Sequence, residues 1–548
     1  MVEESASTVD APALDHEVIV IGAGVAGIYQ IKQLTDLGID ATVLDANDDV
    51  GGTWYNNRYP GARFDSESYT YGYSWSRELL DEWHWVERFS PQPETLKYLE
   101  FVVEKFELRQ YMQFGVRVEV MRFDESSDCW HLTLDDGREL SSRFVVMALG
   151  LLSIPTMPRI EGVDDFEGIG FHPFDWPHGG VDLEGKRVAV IGTGATAIQI
   201  IPEVAKEAAQ LTVFQRRPNW AAPLNNSPID DEEMDDIRRR YDEIFALCAE
   251  TPGGFEHGPD RRGFYNVPEE ERMELWDRLY DGPGFGIWLS NFAEIFMDEQ
   301  ANAEFSEYIA NRIRDRVDDP VLAEKLIPTD HGFGIQRVPL ETGYFETYNR
   351  DNVLLVDASE TPIERITPTG VQTTDQHHEF DVIVYSTGFD AFTGAFDHID
   401  IAGVDGEKLR TKWADGPVTY LGLLVSGFPN MLMVPGPQSA VTNFPRGVEV
   451  AVEWATPLIE HCRSNGHTRF DATAAAEQSY FEEVVRWYQP FLLRKARHWA
   501  TGYNSNLEGH EYGKTRYNLY NGGGPKYLER ITDVADAGYE GVEFGSTG

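Results

Sequence analysis

The stretch EVIVIGAGVAGI at residues 17–28 decides the fold, because a run of branched apolar residues there breaks into Gly22-Ala-Gly24-Val-Ala-Gly27. An unalternated apolar run is expected for a strand buried on both faces of a parallel sheet. Glycines at this spacing let the chain turn sharply from strand into helix. They also let backbone N–H groups at the helix N-terminus approach a pyrophosphate. Downstream, the strand TVLDAN carries Asp45, 23 residues beyond Gly22, where a carboxylate accepts hydrogen bonds from ribose hydroxyls. A tight turn alone explains the glycines but not Asp45. The pattern returns at 187–198, RVAVIGTGATAI, with Gly192, Gly194 and Ala197 in the same places. Two copies predict an α/β chain with two Rossmann-like, doubly wound dinucleotide-binding domains.

The strand after the second fingerprint, LTVFQRRPNW, ends in Arg216 and Arg217, where a fold that binds NAD places Asp or Glu. Guanidinium groups suit a 2′-phosphate, so NADPH is expected over NADH; two surface arginines are the other reading. Residues 221–330 change character. IDDEEMDDIRRRYDEIFALCAE and NAEFSEYIANRIRDRVDDPVLAEKLI are charged, with apolar residues at helical spacing, and predict a helical insert. Strand character resumes in DNVLLVD, FDVIVYSTGF and PNMLMVPG, so both folds are completed by later segments.

Composition excludes several function classes. There are 548 residues, enough for three or four structural units. The 92 acidic residues outnumber 46 basic ones, only 11 of them lysine, for a net charge of −46. That excess repels nucleic acid and anionic membranes, and neither is expected as a partner. It also predicts a halophile's protein, stabilised by salt that screens carboxylate repulsion; an ordinary solubilising surface is the blander reading. Cys129, Cys248 and Cys462 show no CxxC spacing, so no disulfide scaffold, cysteine zinc site or dithiol centre is expected, and no metal. The N-terminal MVEESASTVDAPALD lacks the order of a signal peptide, and no apolar run reaches membrane-spanning length. A cytoplasmic enzyme, monomeric or homodimeric, is the expectation.

Two further stretches carry a resemblance. Asp48-Asp49-Val50-Gly51-Gly52-Thr53-Trp54, soon after the first fingerprint, resembles the FAD fold of flavoprotein monooxygenases; Gly52, Thr53 and Trp54 would lie along the cofactor, although Trp54 alone also reads as a core aromatic. Between the fingerprints, Phe166-x-Gly168-x-x-x-His172-x-x-x-Trp176-Pro177 is similar to the signature of type I Baeyer–Villiger monooxygenases, at the required spacing. N-oxygenating relatives typically carry Tyr or Phe at the place of Trp176. The resemblance runs over nearly the whole chain, through GGTWYNNRYPGARFDSESYTYGYS, GTGATAIQIIP, PLETGYFETYNRDNVLLVD and STGFDAFTG. The insert, with GPGFGIWLSNF, looks like the branch acting on trimethylcyclopentenylacetyl-CoA ketones.

The resemblance implies FAD, NADPH, O2 and a ketone, and gives a reason for two nucleotide folds: hydride passes from nicotinamide to flavin. Reduced flavin then reacts with O2 to a C4a-peroxide that attacks the ketone, giving an ester or lactone. Arg337, in FGIQRVP, matches the arginine beside flavin and nicotinamide, and Asp65 the carboxylate that orients it. A permanently charged guanidinium stabilises the anions formed. Without the family, the two residues read as a structural ion-pair partner and a helix cap. The resemblance makes His172 a structural residue of the connection between domains rather than a general base, and Trp499, in RHWATGYN, a lid residue contacting the nicotinamide cofactor or else a core aromatic.

The domains expected are 1–150, the first part of the FAD fold; 151–220, the first part of the NADPH fold; 221–330, the insert in the NADPH fold; 331–388, the second part of the NADPH fold; and 389–548, completing the FAD fold with a C-terminal lid. Loops 60–70, 437–445 and 500–515 would shape the pocket. Departures from the family pattern are Gln336 where Lys usually contacts the 2′-phosphate, Arg217 where Thr is common, Asn56 for Trp, and Phe64 for a smaller residue. They weaken the expected NADPH preference and alter the expected pocket. The alternatives are an N- or S-oxygenating flavin monooxygenase and a non-catalytic NADPH-sensing flavoprotein; a disulfide reductase would need a CxxC.

Overall fold

The computed structural model describes residues 14–440 and 442–546; the N-terminal segment 1–13, which carries most of the stretch read against a signal peptide, lies outside them. Val18, Val20 and Ile21 sit in the strand His16–Ile21, which pairs in parallel with Ala41–Leu44 on one side and Glu139–Met147 on the other. This is the middle of an eight-stranded sheet. Its order is 400–402, 118–124, 129–134, 139–147, 16–21, 41–44 and 112–113, with Met431–Met433 alongside 139–147. Branched residues suit these strands because side chains on both faces are enclosed, some by helices and some by the 118–134 hairpin.

The second sheet is wholly parallel, in the order 353–357, 210–215, 187–191, 382–385 and 169–171. Each sheet thus draws strands from both sides of the helical stretch at 221–330. That stretch divides between the two folds. The helix Asp231–Glu250 buries Met234, Ile237, Tyr241, Ile244 and Cys248 in the core of the first fold. The helices Glu269–Asp281 and Glu299–Arg314 bury Leu275, Trp276, Phe305 and Ile309 in the core of the second. The 3.6-residue period fixes which side of each helix is apolar, but not which core receives it.

Among the described residues no helix is long and apolar enough to cross a membrane. All three cysteines are buried free thiols.

The first glycine turn shows why a side chain is excluded. A Cβ on Gly27 would lie 1.7 Å from the carbonyl oxygen of Gly22, so the helix Val25–Asp36 rests directly on the backbone of the turn that follows the strand. Gly27→Ala is expected to cost about 3 kcal/mol, because backbone must move to admit the methyl. Gly179→Ala, where a Cβ meets nothing within 4 Å, should stay within about 0.5 kcal/mol of wild type. Chemical denaturation of the two variants checks this; equal midpoints would show that the turn is not tightly packed.

Candidate active site

Each glycine fingerprint ends on a helix whose first turn is open to an anion. The helices Val25–Asp36 and Ala195–Glu207 begin after Gly24 and Gly194, with no side-chain cap and no acidic residue in the first turn. By contrast, Asp231–Glu250 and Glu269–Asp281 carry three acidic residues each at that position. A carboxylate there would satisfy the free N–H groups and repel a phosphate. A Cβ on Gly194 would meet open space. Gly24 faces Gly52, whose φ is +53° and on which a Cβ would come within 3.0 Å of the Gly24 Cα. The turn Gly51-Gly52 therefore lies against the first fingerprint, leaving backbone rather than side chains at its mouth.

Asp45 closes its strand with both carboxylate oxygens engaged. Oδ2 accepts from the Ala23 N–H at 2.6 Å, within the glycine turn, and Oδ1 accepts from the Asn47 N–H at 2.7 Å. Burial raises its carboxyl above the ordinary value, and these donors oppose the rise. Thr53 opens a short helix; Trp54 is buried, donating to the Tyr71 hydroxyl at 2.9 Å and standing edge-on to Phe64 and Tyr71. Phe64 stacks on Tyr71 at 4.4 Å, so it belongs to this aromatic cluster. Asn56 donates back to the Gly52 carbonyl, tightening the turn.

Asp65 and Arg337, 272 residues apart, form an ion pair between Oδ2 and Nη2 at 2.6 Å. The Asp65 side chain is 1% exposed and that of Arg337 34%, so the pair has one buried and one accessible end. Leu340 N–H also donates to Asp65 Oδ2, while Oδ1 is buried with no partner. Burial pushes the Asp65 carboxyl up, and Arg337 offsets part of the rise. The Arg337 guanidinium also sits 5.8 Å from the Phe285 ring. Close to the pair, Tyr59 donates to Gln199 Oε1 at 3.0 Å, and Gln199 donates to the Arg63 carbonyl. These bonds tie the Asp65 segment to the helix of the second fingerprint. Burial raises the Tyr59 hydroxyl to about 12, so it stays protonated.

The segment 166–177 joins the second sheet as the edge strand Ile169–Phe171. A Cβ on Gly168 would lie 2.7 Å from the Asp381 carbonyl and closer still to the Phe166 ring. Trp176 is buried edge-on to Phe171, and Pro177 is exposed. His172 bridges its own turn to the end of the strand Val382–Tyr385: Nε2 donates to the Gly388 carbonyl at 3.1 Å and Nδ1 accepts from the Phe174 N–H. Burial lowers this imidazole to about 4, so it is neutral and fully used in hydrogen bonds.

Arg216, Arg217 and Gln336 converge on the C-terminal segment. Arg216 donates to Ser505 Oγ at 2.7 Å, Arg217 pairs with Asp330 at 2.9 Å, and Gln336 reaches the Arg497 carbonyl at 3.4 Å. Trp499 is half-buried between Phe392 and His498. Sequence reading missed His498, whose Nε2 faces the Arg337 N–H at 3.4 Å and whose Nδ1 faces the Ala500 N–H at 3.3 Å. Burial, with His331, Arg217 and Arg337 nearby, lowers it to about 3. It also missed the pair of buried Glu67 and half-buried His257, at 2.8 Å. These contacts span 161 and 190 residues, and no local pattern marks them. The described residues also bring Asp124, Cys129 and His131 together, but Ser126 and Ser127 already hydrogen-bond Asp124, and Ser127 Oγ lies against the Cys129 thiol.

Residues 15–227 match the family described as flavin-binding monooxygenase-like. The chain is 44% identical over 542 residues to the 2-oxo-Δ3-4,5,5-trimethylcyclopentenylacetyl-CoA monooxygenase of Pseudomonas putida, covering 97% of this chain and 99% of that one. It is 35% identical to a Baeyer–Villiger monooxygenase of Pseudooceanicola batsensis, over 98% and 97% of the two chains. The crystal structure of OTEMO in complex with FAD and NADP superposes with a TM-score of 0.93 at 43% identity, covering 97% of this chain and all of that one. The chain belongs to the flavin-binding monooxygenase-like family, among its Baeyer–Villiger monooxygenases.

Two buried rings, His172 and His498, and the partly buried His510 set an acid limit. His172 and His510 are lowered to about 4 and His498 to about 3, in each case chiefly by burial. Unfolded, these rings bind protons near pH 6.5. Between those values the unfolded chain holds more protons, so their contribution is full above about pH 6.5 and is lost as pH falls toward 4. For the buried His172 ring the loss is on the order of 3 kcal/mol. His172→Asn should therefore lose less stability than wild type between pH 7 and 4.5 in denaturant titrations; parallel losses would show that the ring is charged in the fold.

Proposed function

We propose that this chain is an FAD- and NADPH-dependent Baeyer–Villiger monooxygenase that uses O2 to convert a cyclic or bulky ketone into an ester or lactone. The observation that carries the reading is the Asp65–Arg337 pair, a guanidinium anchored at one end by a buried carboxylate and accessible at the other. The uncapped helix N-termini after Gly24 and Gly194, each behind a glycine turn, support binding of the pyrophosphates of two dinucleotides. Gly22, Gly24, Gly27, Asp45, Gly52, Thr53 and Trp54 would hold FAD, and Gly192, Gly194, Ala197, Arg216, Arg217, Gln336 and Trp499 the nicotinamide nucleotide. FAD, once reduced by NADPH, supplies the chemistry that activates O2. The domains then read as FAD fold 1–150 with 389–548, NADPH fold 151–220 with 331–388, and the helical stretch 221–330.

Each residue's task follows from its bonds. Asp65 fixes Arg337 by direct ion pairing, so little reorganisation is needed as charge develops. The guanidinium cannot lose its proton, and it stabilises negative charge growing on the carbonyl oxygen of the ketone. A donor of this kind supplies about 3 kcal/mol, a hundredfold or more in rate. Trp499 and the segment around it would cover the nicotinamide and exclude water. His172 acts structurally, holding the connection between the folds to Gly388.

Arg337→Ala should still take up FAD and oxidise NADPH slowly, with ester formation at least about a hundredfold lower. The measurement is mass spectrometry of products from a ketone panel under labelled O2, with a thioether included. Wild-type ester yield from the variant would remove Arg337 from catalysis, and sulfoxide without any ester from the wild type would favour the S-oxygenating alternative.

The proposal includes a cytoplasmic enzyme, monomeric or homodimeric, and the acid excess supports its working in a salt-rich cell. At molar salt the Debye length contracts to about 3 Å, which relieves repulsion among 92 carboxylates. The melting temperature should rise between 0.1 M and 2 M KCl; a steady fall would contradict the halophilic reading.

A further inference from the structure

Arg217 is not a free cation. Its Nη1 donates to Asp330 Oδ2 at 2.9 Å, its Nη2 donates to the Arg497 carbonyl at 3.3 Å, and the Tyr503 ring lies 5.7 Å from the guanidinium carbon. Asp330 is held in turn by His331, whose Nδ1 lies 2.7 Å from Asp330 Oδ1. The His331 hydrogen bond, with Arg217 beside it, brings the Asp330 carboxyl down to about 2. It therefore stays ionised across the working pH range. Gln336 is uncharged, and Arg216 is directed to Ser505.

The carboxylate stands where it opposes one particular group. A nucleotide bound behind the glycine turn at Gly192–Ala197 places the 2′ position of its ribose near the end of the strand Gln210–Gln215, beside Arg216 and Arg217. A 2′-phosphate must then share Arg217 with Asp330 or displace it. A nucleotide with a free 2′-hydroxyl makes no such demand.

We propose that Asp330 is a specificity-determining residue for the nicotinamide nucleotide: by holding Arg217 it competes with the 2′-phosphate and lowers the preference for NADPH over NADH. This rests on the nucleotide reading of the second fold and adds to it a residue 113 positions from the arginine it controls. Asp330 acts through Arg217, so it is a positioning residue. The pairing also lets Arg217 remain close to Asp330 in the absence of a phosphate without an unpaired charge at the junction.

The test is binding rather than turnover. Dissociation constants for 2′,5′-ADP and 5′-ADP are measured by calorimetry on the FAD-loaded full chain at one salt concentration. The proteins are wild type, Asp330→Asn, Asp330→Glu, Arg217→Ala and the Asp330→Asn/Arg217→Ala double variant. Asp330→Asn should tighten 2′,5′-ADP about fivefold and change 5′-ADP less than about twofold. Asp330→Glu should keep the wild-type ratio, and in the Arg217→Ala background the gain should shrink by at least half. Equal changes for both nucleotides, no change, or weaker 2′,5′-ADP binding in Asp330→Asn would overturn the assignment while leaving the nucleotide site in place. A wild type that binds neither nucleotide would overturn the nucleotide reading and this inference with it.

Discussion

The site depends on one ion pair that joins the two folds. A carboxylate as enclosed as Asp65 is tolerated only with a partner, since burying a charge alone costs several kcal/mol. Its partner comes from the far side of the helical stretch, so the pair forms only when the two folds stand in one arrangement. Other contacts of the same segment agree with that arrangement. Tyr59 bonds to Gln199, Leu340 donates to Asp65, and a Cβ on Gly61 would meet the Gln199 carbonyl at 2.5 Å. Removing either charge would therefore disturb this junction. The free Asp65 Oδ1 shows that the carboxylate is not saturated by the protein.

The exit of the edge strand Ile169–Phe171 is held by a different means. His172 is uncharged, and its two ring nitrogens tie a turn to Gly388 without adding a charge that salt could screen. Gly168 lets the Phe166 ring and the Asp381 backbone occupy the space a side chain would need. The signature from Phe166 to Pro177 thus describes a packed edge strand and its exit. That is a reason for these residue types which does not require any of them to touch a substrate.

What could be read from the sequence was local. Branched runs at 18–21 and 188–191, with glycines immediately after, are strand-to-helix turns because neighbouring residues alone determine the strand, the turn and the helix start. The helical period at 231–250 was equally plain, yet its apolar face packs on the first fold rather than with the helices that follow it. Position of a face within a helix is set by spacing; its partner is set by topology. The same limit hid Asp330, His257 and His498, each of which gains its significance from a group more than 100 residues away. Arg337 and Asp65 were legible only through resemblance, since an isolated Arg and Asp carry no pattern. Trp54 was ambiguous for a further reason: a tryptophan beside a glycine turn suits a cofactor wall or an aromatic cluster, and the structure places it in contact with Phe64 and Tyr71.

The absence of acid from two helix starts has a kinetic side. A chain of net charge −46 surrounds itself with a field that slows any anion diffusing toward it. At low ionic strength that field extends about 10 Å or more, beyond the reach of a short neutral mouth. A dinucleotide arriving from solution must then approach against the mean force. Added salt shortens the range of the repulsion faster than it weakens contacts made at hydrogen-bond distance. For an anionic visitor to this surface, the encounter becomes more frequent as ionic strength rises, the reverse of ordinary electrostatic steering.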